Sequence, residues 1–212
     1  MAGEVLLRVR PGLRPGRRAV LLGAAALMVA GPAQAVTEAE ARALVDAVAA
    51  ELTRIVNSGG SQAQMIARFE QVFDRFADMP VIARSVLGPV ARSASAQQLS
   101  RFAAAYRGYL ARKYGRALFG GYAGGELQVG RVTKSGTVFS VESRAVMRRR
   151  AGGTETLSVV WQVSERSPQP RFFNMIIDGV NLFAIEREEV PAMLDARRGD
   201  LNRLIADLPG LG

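Results

Sequence analysis

The chain contains no cysteine and no histidine, and its only lysines are Lys113 and Lys134. Those absences exclude thiol nucleophiles, Ser-His-Asp triads and zinc sites built on imidazole or thiolate. Carboxylates, hydroxyls and arginine are what remains for chemistry. Long apolar runs are also scarce. The longest, AVLLGAAALMVAG at residues 19–31, is too short to cross the roughly 30 Å hydrocarbon core of a bilayer as a helix. Aromatic residues are missing from the first 68 positions, and all fourteen follow.

Apolar content is ample. With 49% hydrophobic residues over 212 positions, the chain suits one or at most two domains whose core needs no metal or disulfide staple. The first 35 residues read as an export signal. Arg8, Arg10, Arg14, Arg17 and Arg18 precede the apolar run, and Ala33-Gln34-Ala35 is a small-x-small cleavage site. Cleavage after Ala35 delivers residues 36–212 to the periplasm. The Arg17-Arg18 pair fits a twin-arginine motif and also the positive end of an ordinary Sec signal. Removing residues 1–35 takes away five arginines and Glu4, so the formal charge falls from +9 to +5. So mild and dispersed an excess suits anionic lipid surfaces and argues against a nucleic-acid partner.

Periodicity divides residues 36–212 into a helical half and a strand half. Thr37 with Glu40 forms a capping box, followed at helical spacing by Ala41, Leu44, Val45, Val48, Leu52, Ile55 and Val56 until Gly59-Gly60. Ser61 with Gln64 opens a second helix with Met65, Ile66, Phe69, Val72, Phe73 and Phe76 on one face. Asp78-Met79-Pro80 then bends the chain into a short helix ending at Gly88. Ser95 with Gln98 opens the third long helix, whose stripe is Leu99, Phe102, Tyr106, Tyr109, Leu110, Tyr114 and Leu118.

From about Glu126 the period becomes two, predicting strands over 127–132, 137–148, 154–164 and 171–183 in an antiparallel meander. A last helical stretch has Pro191, tolerated near a first turn, and a shorter one carries Leu201, Leu204, Ile205 and Leu208. The expected fold is α+β: a single domain with helices packed on one face of a twisted antiparallel sheet of about four strands.

Three blocks, FADMPVIARSVLG at 76–88, SASAQQLSRFAAAYRGYLARKYGRALFGGYAGGEL at 93–127 and FFNMIIDGVNLFAIEREEVPAMLDARRGDLNRLIADL at 172–208, together resemble the MlaC family. These are periplasmic phospholipid carriers of the maintenance-of-lipid-asymmetry (Mla) system, also known as toluene-tolerance auxiliary transport proteins. The chain departs from the family pattern at Ala91, Pro170, Asn174 and the run Asp178-Gly179-Val180-Asn181. The resemblance implies phospholipid carriage between an outer-membrane Mla lipoprotein complex and an inner-membrane Mla-type ABC transporter, sustaining outer-membrane lipid asymmetry. It implies a bound phospholipid as cargo, with no cofactor, metal or enzymatic step.

A diacyl lipid has on the order of 30 methylenes at about 0.8 kcal/mol each, so only an enclosed apolar cavity can replace the bilayer for it. Strand alternation supplies candidate walls. The second strand turns Phe139, Val141, Ser143, Ala145 and Met147 to one face, large at the ends and small in the middle. The third presents Val159 and Trp161 beside Leu157 and Val163, and the last presents Phe173, Met175 and Ile177. Phe73, Phe76, Met79, Ile82, Val86, Phe102, Tyr106, Tyr109 and Leu110 complete the expected lining, with the first helix as an outer cover.

Ordinary core packing is the competing reading for every one of these residues. Arg148-Arg149-Arg150 reads as a solvated hairpin tip, with contact to phosphate headgroups or an acidic partner as the functional alternative. Glu186, Glu188 and Glu189 read as a helix start favoured by the macrodipole. Two other classes stay open. A protein-interaction module needs a large exposed apolar patch, and a carboxylate-dependent hydrolase needs two acids converging in a polar cleft.

N-terminal sequencing of the exported protein is expected to begin at Val36. Replacing Arg17 and Arg18 by lysine blocks export if the signal is of the twin-arginine type and leaves it intact if Sec carries the chain.

Overall fold

The computed structural model describes residues 35–212, so the export signal expected over residues 1–35 lies, all but Ala35, outside the described part. Thr37 and Ser61 form the expected reciprocal capping boxes and open α1 (Glu38–Val56) and α2 (Gln62–Phe76). The bend after α2 starts α3 (Met79–Leu87), where the Asp78 carboxylate accepts from the Val81 N–H at 3.3 Å. Pro80 falls in the first turn, where a missing N–H costs no helical hydrogen bond. A single further turn, α4 (Val90–Ser93), was not anticipated from sequence. Ser95 then caps α5 (Ala96–Gly121), the longest element.

The bend is a stitched joint between the helices and the sheet. Asp78 N–H donates to the Phe172 carbonyl at 2.8 Å, and the Ser167 hydroxyl donates to the Asp78 carboxylate at 3.1 Å. The Arg171 guanidinium reaches back to the carbonyls of Asp74 and Ala77 at 2.9 and 3.0 Å. Polar groups that the proline bend frees from helical bonding are thus taken up by the start of the last long strand.

The sheet is antiparallel with strands in sequence order: β1 (Tyr122–Ser135), β2 (Val138–Arg149), β3 (Thr154–Ser164), β4 (Phe172–Ile177) and β5 (Val180–Asn181). It thus has five strands where about four were expected. The single strand expected over 171–183 is instead a tight hairpin. Asp178 and Gly179 both have positive φ, 47° and 79°, as the favoured two-residue turn requires. The Asp178 carboxylate holds this turn by accepting from the Ser158 N–H at 2.7 Å. β1 also starts earlier than expected, at Tyr122 rather than near Glu126, directly from the end of α5.

Asn181 caps α6 (Leu182–Asp195) by accepting from the Ala184 N–H at 3.1 Å, which moves the helix start upstream. Pro191 is therefore inside the helix and not in its first turn. Its missing N–H strands the carbonyl of Arg187, a residue on the exposed side where water is available. α7 (Leu201–Asp207) and a short 3-10 turn at Leu208–Gly210 close the chain.

α1 lies along β1 and covers its open edge with side-chain hydrogen bonds. Asn57 donates to the Gly125 carbonyl at 2.7 Å, Leu127 N–H donates to Thr53 Oγ1 at 3.2 Å, and Arg42 donates to the Gly130 carbonyl at 2.6 Å. Gly125 permits the tight approach of β1 to β2, because a Cβ there would lie 2.6 Å from the Met147 sulfur and 2.7 Å from the Val146 carbonyl. On the helical side Phe102 stacks on Tyr106 with ring centroids 5.1 Å apart, and both are fully buried.

Asp78→Ala removes both the α3 cap and the acceptor for Ser167. It is expected to lower stability by about 0.5–2 kcal/mol in chemical denaturation, and an unchanged midpoint would show that the bend is held by other contacts.

Candidate functional site

The sheet and helices form a partly open cavity of about 310 Å³. Strand register builds its floor. Leu127, Ala145 and Leu157 lie opposite one another across β1, β2 and β3, Val159 faces Ile177, and Trp161 faces Met175. All of these line the cavity, together with Met147. The roof comes from helical faces: Leu52, Thr53 and Val56 of α1, Phe69 of α2, and Tyr114, Ala117 and Leu118 of α5. Tyr122, Glu126 and Leu182 complete the lining. Phe69, Val159 and Trp161 are buried, whereas Leu157, Ile177 and Leu182 are half-buried and Ala117 and Glu126 exposed, which marks the rim.

The polar groups of this wall are already engaged. Trp161 Nε1–H donates to Ser143 Oγ at 2.9 Å, and the Ser143 hydroxyl donates to the Val159 carbonyl at 3.2 Å. Tyr122 donates to Glu155 at 2.7 Å and Tyr114 to Glu186 at 2.6 Å. Among the described residues no buried side-chain nitrogen or oxygen lacks a partner. Water entering such a space gains few hydrogen bonds, so the cavity favours an apolar occupant.

Six of the residues singled out from sequence line this cavity: Ala145, Met147, Val159, Trp161, Met175 and Ile177. Phe73, Ile82, Tyr106, Leu110 and Phe173 line a smaller pocket of about 40 Å³, to which Met175 also contributes. The other eight line neither. Val86, Phe102, Phe139 and Val141 are closed core. Ser143 is spent on the Trp161 indole, which crosses from β3 and fills the room that the small residue seemed to leave. Phe76 is half-buried under the Arg75 guanidinium, Met79 borders a surface groove with Pro80 and Val81, and Tyr109 faces a groove with Lys113 and Glu189.

The first helix is wall, contrary to its expected role as an outer cover, because the edge bonds from Thr53 and Asn57 to β1 draw its last two turns over the sheet. The other lining residues not singled out were Phe69, Tyr114, Ala117, Leu118, Tyr122, Glu126, Leu127, Leu157 and Leu182. Of these, Phe69 stood on the apolar face of the second helix, Tyr114 and Leu118 in the aromatic stripe, and Leu157 on the inner strand face.

The acidic cluster corrects a further expectation. Glu186 is the fifth residue of α6 and is 3% exposed, so it does not serve a helix start. Its carboxylate accepts from Lys113 Nζ, Tyr114 and Tyr106, each at 2.6 Å, while Lys113 also pairs with Glu189. Burial and then the neighbouring Glu186 carboxylate hold both the Tyr106 and the Tyr114 hydroxyl far above the usual tyrosine range. Burial opposes the charge on Lys113, but its hydrogen bonds to Glu186 and Glu189 prevail and keep it protonated. The cluster locks α6 to α5, since a buried charge survives only when its partners are all in place. In the arginine run, Arg149 pairs with Glu155 at 2.8 Å, and Arg150 donates to the Phe119 carbonyl at 3.2 and 3.3 Å, tying the β2–β3 tip to the end of α5.

Fold and site together define an α+β protein with an apolar pocket between its sheet and its helices. The sequence model of the MlaC protein family matches residues 42–209, and the chain belongs to that family. A phospholipid-binding protein from Ralstonia solanacearum, solved in complex with a phospholipid, has the same fold, with a TM-score of 0.59 and 16% identity over 80% of this chain and 98% of its own. The iota-carbonic anhydrase of a cyanobacterium, complexed with bicarbonate, matches at a TM-score of 0.41 and 16% identity over 68% of this chain and 92% of its own, a likeness too weak to carry a functional argument. No curated protein matches the chain in sequence.

Ser143→Ala leaves the buried indole N–H without its acceptor and is expected to cost about 1–3 kcal/mol in thermal or chemical unfolding. Trp161 is the single tryptophan, so its emission reports the same change locally; an unaltered stability and spectrum would show that the contact contributes nothing.

Proposed function

We propose that this protein is a periplasmic phospholipid carrier, which holds acyl chains in the cavity and passes the lipid between an outer-membrane Mla lipoprotein complex and an inner-membrane Mla-type ABC transporter. Such traffic would maintain the lipid asymmetry of the outer membrane. The observation that carries the reading is the cavity itself, apolar along the sheet and helix faces, with its polar groups already bonded within the protein. An acyl chain entering it escapes water at about 0.8 kcal/mol per methylene and displaces no hydrogen bond. MlaC membership and the shared fold with a phospholipid-bound protein support the same ligand class.

The phospholipid is cargo in this reading, not a cofactor, and no bond is made or broken. Hydrolysis by paired carboxylates needs two acids converging on a substrate, and among the described residues Glu126 alone brings a carboxylate to the main cavity. An interaction module is likewise less well supported. The large hydrophobics exposed among the described residues, Val81 and Val180, sit on different elements, α3 and β5.

Organic extraction of natively purified protein followed by mass spectrometry is expected to release phospholipid, and recovery of only lipid-free protein would count against the proposal. Ala145→Trp is the sharper test, because the residue lines the cavity although it is only 4% exposed. The variant is expected to lose bound phospholipid while melting near the delipidated parent. Close-packed core at that position would instead make the indole an overpacking defect of about 1–3 kcal/mol or more, visible in thermal unfolding whatever the lipid content.

A further inference from the structure

One layer of side chains separates the main cavity from the smaller pocket beside it. Tyr114, Met175 and Leu182 line both. Behind that layer the small pocket is walled by Phe73, Ile82, Leu110 and Phe173, and its polar neighbours are engaged. Glu186 is held by Lys113 and the two tyrosines. Asn174 donates to Gln162 at 2.9 Å and accepts from the Phe183 N–H at 3.1 Å. The small pocket is therefore a chemical continuation of the large one.

The three dividing residues are not held alike. Met175 is an unbranched thioether chain that changes rotamer readily, and Leu182 is the first residue of α6. Tyr114 is different: its hydroxyl is tethered at 2.6 Å to a carboxylate that is itself buried and clamped from α5. Displacing the ring would leave Glu186 short of a donor in a buried site, so Tyr114 is the fixed part of the partition.

Resting on the phospholipid-binding reading above, we propose that Tyr114, tethered by Glu186, sets the length of acyl chain that the protein accepts by closing the main cavity against the pocket behind it. A chain that fills the main cavity ends against the ring. Each further methylene is left without an apolar place, which disfavours the longer chain by about fourfold per methylene. Without the ring, the chain end passes between Met175 and Leu182 toward Phe73 and Phe173.

The test presents delipidated protein with vesicles of phosphatidylethanolamine of graded acyl length and reads the bound species by mass spectrometry. Tyr114→Ala is expected to shift the bound distribution to longer chains, by about fourfold for each methylene newly accommodated. Met175→Ala thins the partition from the sheet side without touching the Glu186 cluster, and because the Tyr114 ring still closes the cavity it is expected to shift the distribution less than Tyr114→Ala does. Val141→Ala, in closed core outside both pockets, is expected to leave the length profile unchanged. Phospholipid bound at wild-type length by Tyr114→Ala overturns the role of Tyr114, as does a full shift of about fourfold per methylene in Met175→Ala, where the ring remains, or any shift in Val141→Ala. A wild-type protein that takes up no phospholipid fails differently, since it removes the binding reading itself and the partition's role with it.

Discussion

A folded chain that keeps a space open inside itself gives up dispersion contacts along every wall of that space. The rest of this structure follows from how that loss is managed. The walls cannot hold one another apart by touching, so they are held from outside, at the perimeter. Asn57 and Thr53 fix the end of α1 to β1, Arg150 fixes the β2–β3 tip to the end of α5, and the Lys113–Glu186 cluster fixes α6 to α5. Within the floor, Ser143 holds the Trp161 indole by its N–H. Each clamp is a polar contact placed where the apolar surface ends, which leaves the interior without unsatisfied groups and suited to a greasy occupant.

Among the described residues, one sheet face is close-packed toward one end and hollow toward the other. Phe139 and Val141 sit in closed core, while Ala145 and Met147, further along the same strand, border the cavity. The stretch around Asp78 belongs to the close-packed end. Its proline bend joins α2 to α3, returns its free backbone groups to the start of β4, and packs Ile82, Ala83, Val86 and Leu87 into the core. The departing run Asp178-Gly179-Val180-Asn181 forms regular local structure. Asn181 still caps α6, and Asp178-Gly179 still makes the tight turn of the last hairpin.

On the proposed carrier reading, a cavity with no hydrogen bond to offer suits the release of what it holds. Its attraction for an acyl chain is non-directional and scales with the area buried, so it weakens smoothly as the chain withdraws. Leu157, Ile177 and Leu182 are half-buried at the cavity's margin. Electrostatics in the wall bear on shape more than on affinity, since the charged cluster points its groups at one another and not at the lumen.

Local chemistry was legible in the sequence wherever a residue's role depends on neighbours a few positions away. The capping boxes at Thr37, Ser61 and Ser95, the bend at Pro80 and the inward faces of β2 and β3 needed only spacing and residue type, and the block order pointed to the MlaC family. The Asp178-Gly179 hairpin was legible in principle but hidden in an apolar run. What depended on tertiary structure was which part of each apolar face borders empty space, because alternation reports the side of the sheet and is silent on what lies across from it. Ser143 and Ala145 are both small and share one face of one strand. Only the indole crossing from β3 makes the first a clamp and leaves the second as cavity wall. For the same reason the roles of α1 and Glu186 were out of reach, since contacts 68 to 80 residues away in sequence decide them.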